Sequence, residues 1–191
     1  MDIPTIISAV KARCPSFGGR VAGAAEFAPL PEASNLAMPA AYVIPLDDDA
    51  GPTDSQNGRR QLITDGVAVV VVVSNTADER GQGSITSVRA LRAELWAALL
   101  GWAPAATYGP LSYDGGQLIT IDRSRLYYQF EFSAQTEITE EDTWQGAVNA
   151  ALPPFTGMHV DVDAIDPHDP NRSPSGPDGT LEASADIPLP Q

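Results

Sequence analysis

The chain has 191 residues, a usual size for one domain, and a formal net charge of −14 at pH 7. A surface this acidic repels nucleic acid and anionic lipid, which argues against a sequence-reading DNA-binding protein. The single cysteine, Cys14, excludes an internal disulfide and a zinc site made of several cysteines. No signal-peptide pattern is present, and the apolar run Val67–Val73 is far shorter than the about 20 residues of a membrane helix. We therefore expect a protein kept in the reducing cytosol, away from membranes.

The acidic residues are concentrated toward the C-terminus. Residues 1–138 contain 15 Asp and Glu against 10 Lys and Arg, whereas residues 139–191 contain 10 against Arg172 alone. The two net charges, −5 and −9, add to the −14 of the chain. The second segment is also rich in proline and glycine. The composition therefore predicts a patterned domain, 1–138, followed by an acidic C-terminal extension or arm, 139–191.

The first part of the chain predicts one helix and then irregular structure. Ile3–Cys14 has apolar residues at helical spacing, Asp2 is a suitable N-cap and Pro15 ends the pattern. Cys14 lies on the apolar stripe, so it is interpreted as a buried small hydrophobic residue. Arg20–Pro31 is predicted to be irregular, with at most short pieces of structure.

Two strands and a long loop are predicted next. Ala40–Leu46 has the composition of a strand, and Pro45 indicates that the strand ends there or lies at a sheet edge. Asp47–Arg60 is too polar and rich in turn residues to pack, which predicts a long loop. Gln61–Ser74 contains consecutive valines that point to both faces, so it is predicted to be the central strand, covered on both sides.

The second half of the domain predicts a helix and a hairpin. Ser84–Trp102 is the clearest helix, with Ser84 as N-cap, Gly101 as stop and one apolar stripe formed by Ile85, Val88, Leu91, Leu95, Leu99 and Trp102. Asp114–Gly116 is predicted to be a turn, and strands Gln117–Asp122 and Leu126–Ile138 are predicted to be joined by a second turn. The fold class is α+β: a mixed, largely antiparallel sheet with helices on one face.

The segment between the central strand and this helix resembles the start of a phosphate-binding site. Gly81-Gln82-Gly83 follows a strand and precedes a helix, but Thr86 occupies the third glycine position of the dinucleotide motif. There is no Gly-Lys-Ser/Thr motif, and Asp78 and Glu79 would repel phosphate. The pattern favours a capped helix after a surface loop, and no cofactor is expected.

The acidic extension contains a second candidate motif, in Met158–Asn171. His159, Asp161 and Asp163 alternate, so on a strand they share one face and offer ligands of the kind that divalent cations bind. Their order matches no Ca²⁺ loop or zinc motif, which favours a solvated acidic strand and no metal site. Neither histidine has a serine or cysteine partner nearby, so no catalytic residues are assigned.

Several stretches together resemble the tail-terminator proteins of long-tailed bacteriophages, also called tail-completion or minor tail proteins. The likeness spans most of the chain, and its motifs are structural. It rests on MPAAYVIPL (38–46), NGRRQ (57–61), GVAVVVVVSN (66–75), ADERG (77–81), LRAELWAALLGW (91–102), 109–122, the aromatic strand 126–132 and the acidic C-terminal segment.

The resemblance implies a structural virion protein without enzymatic activity, assembled in the host cytoplasm. It implies a homohexameric ring on the head-proximal end of the tail tube, which ends tube polymerisation and offers a surface to the head-to-tail connector. Phage DNA would pass through the lumen as cargo that does not adhere. The alternatives are another neck, tail-joining or tail-assembly protein, and a small acidic cytosolic enzyme.

Two predicted loops, 47–60 and 75–83, are candidates for contacts with neighbouring subunits or with the tube. Their charged candidate residues are Asp47, Asp48, Asp49, Arg59, Arg60, Asp78, Glu79 and Arg80. In the extension, His159–Ile165 and Thr180–Ile187 both alternate like strands. They are hypothesised to form an arm or hairpin that adds to a sheet edge of the next subunit or of a connector protein.

Overall fold

The computed structural model describes residues 1–27, 36–54, 59–75, 82–163, 179, 181 and 183–189. The chain divides into two compact units, Met1–Gln145 and Gly146–Gln191. The regular elements, in chain order, are α1 (Ile3–Arg13), β1 (Val21–Gly23), α2 (Ala24–Phe27), β2 (Ala40–Thr53), β3 (Gln61–Ser74), α3 (Gln82–Leu99), β4 (Ser112–Ile121), β5 (Arg125–Ile138), α4 (Trp144–Ala150), β6 (Gly157–Val162) and β7 (Ala183–Pro188).

The first unit is built on a five-stranded sheet with the order β1-β2-β3-β5-β4. β1 is parallel to β2, and the other neighbouring strands are antiparallel. The sheet is therefore mixed and mostly antiparallel, and the α+β class is confirmed. β3 lies at its centre, as the valine run predicts, because it pairs with β2 on one side and with β5 on the other.

The valines of β3 are buried on both faces of the sheet. Val67, Val69, Val71 and Val73 face the helices α1 and α3, where they join a core that includes Ile6, Val10, Leu95, Leu99, Phe130 and Phe132. Val70 and Val72 face the other way and pack with Ala40, Tyr42 and Tyr127. A strand with two buried faces has no polar alternation, which is why the continuous apolar run indicated a central strand.

Helix α1 agrees with its sequence pattern. The Asp2 carboxylate accepts a hydrogen bond from the backbone N–H of Thr5, so Asp2 is the N-cap, as the sequence predicts. Cys14 is 1% exposed, and burial together with the nearby charge of Glu94 raises the pKa of its thiol to about 11. Cys14 is thus a core residue, as predicted.

Within the predicted irregular segment, Arg20–Pro31, the described residues form only the short elements β1 and α2. Residues 28–35 lie outside the described residues.

The predicted loop 47–60 is wrong over its first half, because β2 continues through the acidic run to Thr53. Asp48 pairs with Asp65 and Asp49 with Thr64. The acidic part of β2 is therefore held in the sheet by backbone pairing with the polar end of β3. Pro45 does not end the strand. β1 pairs only with residues 41–43 of β2, so Pro45 lies where β2 is an edge strand and no neighbour needs its missing N–H.

Helix α3 begins two residues before the predicted N-cap. Ser84 lies inside the helix, where it is 5% exposed and donates a hydrogen bond to Asn75 Oδ1 (3.1 Å). Ile85 is 53% exposed and does not belong to the buried stripe, whereas Val88, Leu91, Leu95 and Leu99 are buried. The helix ends at Leu99, and Gly101 with φ = 75° provides the predicted stop.

The predicted turn at Asp114–Gly116 is wrong, because β4 runs through it from Ser112. The register shifts between Tyr113 and Gly115, so the extra residue is accommodated as a β-bulge. The turn before β5 is as predicted. The Asp122 carboxylate accepts hydrogen bonds from the backbone N–H groups of Ser124 and Arg125, which lowers its pKa.

The second unit contains the antiparallel pair β6–β7. β6 and β7 overlap the two stretches whose alternation predicted strands, although β6 begins two residues before His159 and β7 ends one residue after Ile187. The two strands pair with each other as a hairpin, and its addition to a sheet edge stays a prediction. Residues 164–178 lie outside the described residues.

Candidate interaction surfaces

The three long strands β2, β3 and β5 have two unlike halves. One half is the valine half, defined as Ala40–Val43, Val67–Val73 and Leu126–Phe132. The other is the polar half, defined as Asp47–Thr53, Gln61–Asp65 and Gln135–Ile138. Every residue of Asp47–Ala50 is exposed, whereas every residue of Ala40–Val43 is buried. In the polar half the strands are therefore paired with one another, but few of their side chains contribute to the hydrophobic core.

Asp47, Asp48 and Asp49 lie on the outer strand of the polar half. In the described part of the chain, no strand pairs with β2 on its outer side beyond Val43. Consecutive aspartates with Pro45 and Pro52 on an edge oppose further strand pairing, because prolines lack an N–H and the charges must stay hydrated. This edge is accessible to solvent and strongly acidic.

Arg59 and Arg60 lie at the start of the strand that follows. The backbone N–H of Arg59 donates to Glu140 Oε2 (3.0 Å), and Arg60 Nε donates to Glu137 Oε1 (2.7 Å). The hydrogen bond and charge of Glu137 raise the pKa of Arg60, with a smaller contribution from Asp54. The two arginines thus connect the polar ends of β3 and β5. Residues 55–58 lie outside the described residues.

The third candidate group, Asp78, Glu79 and Arg80, lies outside the described residues.

Beside the start of α3 is a mostly apolar cavity of about 430 Å³, lined among others by Met38, Val73, Ser84 and Leu91. Among the described residues, its lining includes no lysine or arginine that could bind a phosphate.

A polar cluster marks the junction of the two halves of the sheet. The Asp65 carboxylate accepts hydrogen bonds from the amine of Met1 (2.7 Å) and from the Tyr108 hydroxyl, and its side chain is 17% exposed. Burial raises the pKa of Asp65, but the two hydrogen bonds and the charge of the amine outweigh it, so the net pKa is lowered. Burial and the same hydrogen bond raise the pKa of Tyr108 to about 12. Sequence inspection missed this cluster, because its members are far apart in the chain.

The His159 motif forms a hydrogen-bonded surface on the β6–β7 pair. His159 Nδ1 is 2.6 Å from Asp186 Oδ1 and Nε2 is 2.9 Å from Asp161 Oδ1. Across the described ranges, no group of three His, Cys, Asp or Glu side chains is arranged to hold a metal ion. None of the helices in those ranges is long and apolar enough to cross a membrane.

The described surfaces of the first unit include the acidic edge of β2 and the free edge of β4. The phage tail terminator protein family model matches residues 1–143, and the chain belongs to this family. Among the solved structures that are similar is a chain of the "Virion of native gene transfer agent (GTA) particle". That match has 14% identity and a TM-score of 0.43, and it covers 70% of this chain and 92% of the other. No curated protein matches.

Membership of this family defines the class of protein. The chain is a structural component of the phage tail and of the virion, associated with other tail and head proteins, and the family is not enzymatic. The alternative of a small acidic enzyme is therefore excluded.

Proposed function

We propose that the protein closes the head-proximal end of the tail tube as a homohexameric ring, ends tube polymerisation and offers the surface to which the head connector binds. The observation that carries this proposal is the polar half of the sheet. Strands that extend past the core into an exposed, acidic region add little stability, since few of their side chains are buried. Such a region is suited to contacts with other subunits.

A ring requires two different surfaces on each subunit, because neighbours in a cyclic assembly meet head to tail. The sheet has two unlike edges, the acidic edge of β2 and the edge formed by β4. Subunits that present unlike edges satisfy this requirement, whereas a single self-complementary edge would favour a dimer.

The proposed contact residues are the charged candidates of the sequence. Asp47, Asp48 and Asp49 are exposed on β2, and Arg59 and Arg60 directly precede Gln61, at the connected end of the same strand pair. Asp78, Glu79 and Arg80 remain candidates from the sequence alone. Acidic residues that face the lumen would repel the DNA that passes through it, since both carry negative charge.

The experiment is assembly of purified tail tube protein with and without this protein, observed by negative-stain electron microscopy and native mass spectrometry. We expect rings with a central hole and six copies, either free or at one end of each tube, and tubes that stop growing when the protein is added. Tubes that continue to grow with the protein bound along their length would contradict the termination function. Binding to the connector without any effect on tubes would indicate another neck or joining protein.

A further inference from the structure

The β6–β7 hairpin separates its side chains by character. The register places Met158 opposite Ile187, Val160 opposite Ala185 and Val162 opposite Ala183, so these six side chains share one face. The other face carries His159, Asp161, Ser184 and Asp186, which are joined by hydrogen bonds. One face of the hairpin is thus apolar, and the other is polar apart from the end pair Gly157 and Pro188.

The apolar face is exposed to solvent. Met158 is 51% exposed, Val162 45% and Ile187 43%. Among the described residues of the unit Gly146–Gln191, none is buried, so the hairpin has no core of its own. A two-stranded hairpin is at best marginally stable in water and gains stability by packing its apolar face on another surface. The hairpin therefore requires a partner surface.

The edge strand β4 of the first unit carries three exposed apolar side chains, which we name the β4 strip: Leu118, Ile119 and Ile121. These side chains are 44–52% exposed. Leu118 pairs with Tyr128 and Ile121 with Leu126 on β5, while the other side of β4 has no partner strand among the described residues. In contrast to the edge of β2, this edge has neither prolines nor a run of aspartates.

Charge favours the same pairing. Arg123 is exposed in the turn that follows the β4 strip, and the adjacent Asp122 carboxylate is held by backbone N–H groups of that turn. The hairpin carries Asp161 and Asp186. An acidic hairpin would be repelled by the edge with Asp47–Asp49 and is compatible with the edge beside Arg123.

We propose that the apolar face of the hairpin of one copy packs on the β4 strip of a neighbouring copy of this chain. Each copy has one hairpin and one strip, so the contact is head to tail and continues around a ring. The proposal rests on the ring function proposed above, and it adds the hairpin to the surfaces through which the subunits meet.

The test is disulfide cross-linking of the double variant L118C/I187C under mild oxidation, analysed by non-reducing electrophoresis. Cys14 is buried and does not compete. We expect a ladder of covalent oligomers that ends at the size of the ring. The matched control L118C/S184C places the second cysteine on the polar face, and it should give no more oligomer than either single variant.

A second measurement uses charge instead of a covalent bond. Met158→Asp puts a carboxylate into the proposed contact, and the fraction of ring at fixed concentration should fall at least about tenfold. Ser184→Asp adds the same charge to the polar face and should leave the ring fraction unchanged. At a concentration at which the wild type is monomeric, both variants should keep its thermal midpoint, because the core of the first unit is untouched.

The outcomes separate the two proposals. Intact rings in Met158→Asp, or L118C/I187C that gives only monomers or cross-links to the tube protein, would overturn the inference and leave the ring function standing. Wild-type protein that forms no ring, alone or on tubes, would overturn the ring function and this inference together.

Discussion

The valine half and the polar half of the sheet belong to the same three strands but have different roles. In the valine half, hydrogen-bonded strands carry side chains that pack on helices α1 and α3. In the polar half, the ladder between β2, β3 and β5 continues while most side chains point into water. The comparison shows that backbone pairing extends a sheet well beyond its core. The stability therefore depends mainly on one half, which leaves the other half available for contacts.

The largest effect is expected from removing apolar volume in the valine half. Leu95 is fully buried between α3 and the sheet, so Leu95→Ala should lower the free energy of unfolding by about 2–5 kcal/mol. The matched control is Leu62→Ala in the polar half, where the side chain is 45% exposed and the cost should stay within about 0.5 kcal/mol. Urea unfolding curves measure both. Equal losses would mean that the two halves contribute equally to stability.

The next effect is expected at the junction of the two halves. Asp65→Asn removes the negative charge that faces the Met1 amine, so the free energy of unfolding should fall by about 2 kcal/mol at pH 7. The pKa of Asp65 is lowered in the folded state, so its stabilisation is present above the ordinary pKa of about 4 and is lost as the pH falls through the lower folded pKa.

Melting temperatures of the wild type and of Asp65→Asn, measured from pH 7 down to pH 2, test this dependence. The gap between the two proteins should be constant near neutral pH and should close in acid. Asp48→Asn, at the exposed residue that pairs with Asp65 across β2 and β3, is the control and should follow the wild-type curve. A gap that does not change with pH would show that the amine pair does not stabilise the fold.

The sequence predicted the valine half well because burial determines which residues can occupy it. The continuous valines of β3 and the helical spacing of Val88, Leu91, Leu95 and Leu99 both arise from packing, and both were recognised. The polar half was not recognised, because Asp47–Thr53 forms a strand through backbone pairing with β3 and has no apolar alternation. One available signal was the length of β3, whose polar end at Gln61–Asp65 requires a partner strand.

The candidate contact residues were chosen from the sequence because they are charged and lie in predicted loops, and the structure places some of them in a different kind of element. Asp47–Asp49 lie on a strand edge instead of a loop, so their positions are fixed relative to the sheet. The face separation of the β6–β7 hairpin also depends on register, which places Met158 opposite Ile187 from distant parts of the chain. A single sequence does not define the register, because the side chains of each strand alternate between the two faces whichever residues of the partner strand lie opposite.

A smaller effect is expected where β4 approaches β5. A Cβ at Gly116 would lie 2.8 Å from Tyr113 Oη, 2.9 Å from Tyr128 Cε1 and 3.2 Å from the carbonyl oxygen of Gln129. The ring atoms can shift but the backbone carbonyl cannot, so Gly116→Ala should cost about 1–2 kcal/mol. Gly109→Ala is the control, since its Cβ would have an ordinary contact of 3.6 Å. Chemical denaturation should show a lower midpoint for Gly116→Ala only.

The smallest effect on stability is expected from D47N/D48N/D49N. This variant also tests most directly whether the polar half serves for contacts while the valine half serves for stability. These side chains are exposed, so the free energy of unfolding should change by no more than about 0.5 kcal/mol. If the polar half is a contact surface, the same variant should form fewer rings and should terminate tubes less efficiently. Wild-type assembly measured at several salt concentrations provides the reference, since screening weakens exposed charges. Unchanged assembly at every salt concentration would remove the acidic edge from the contacts and would leave repulsion of DNA in the lumen as its proposed role.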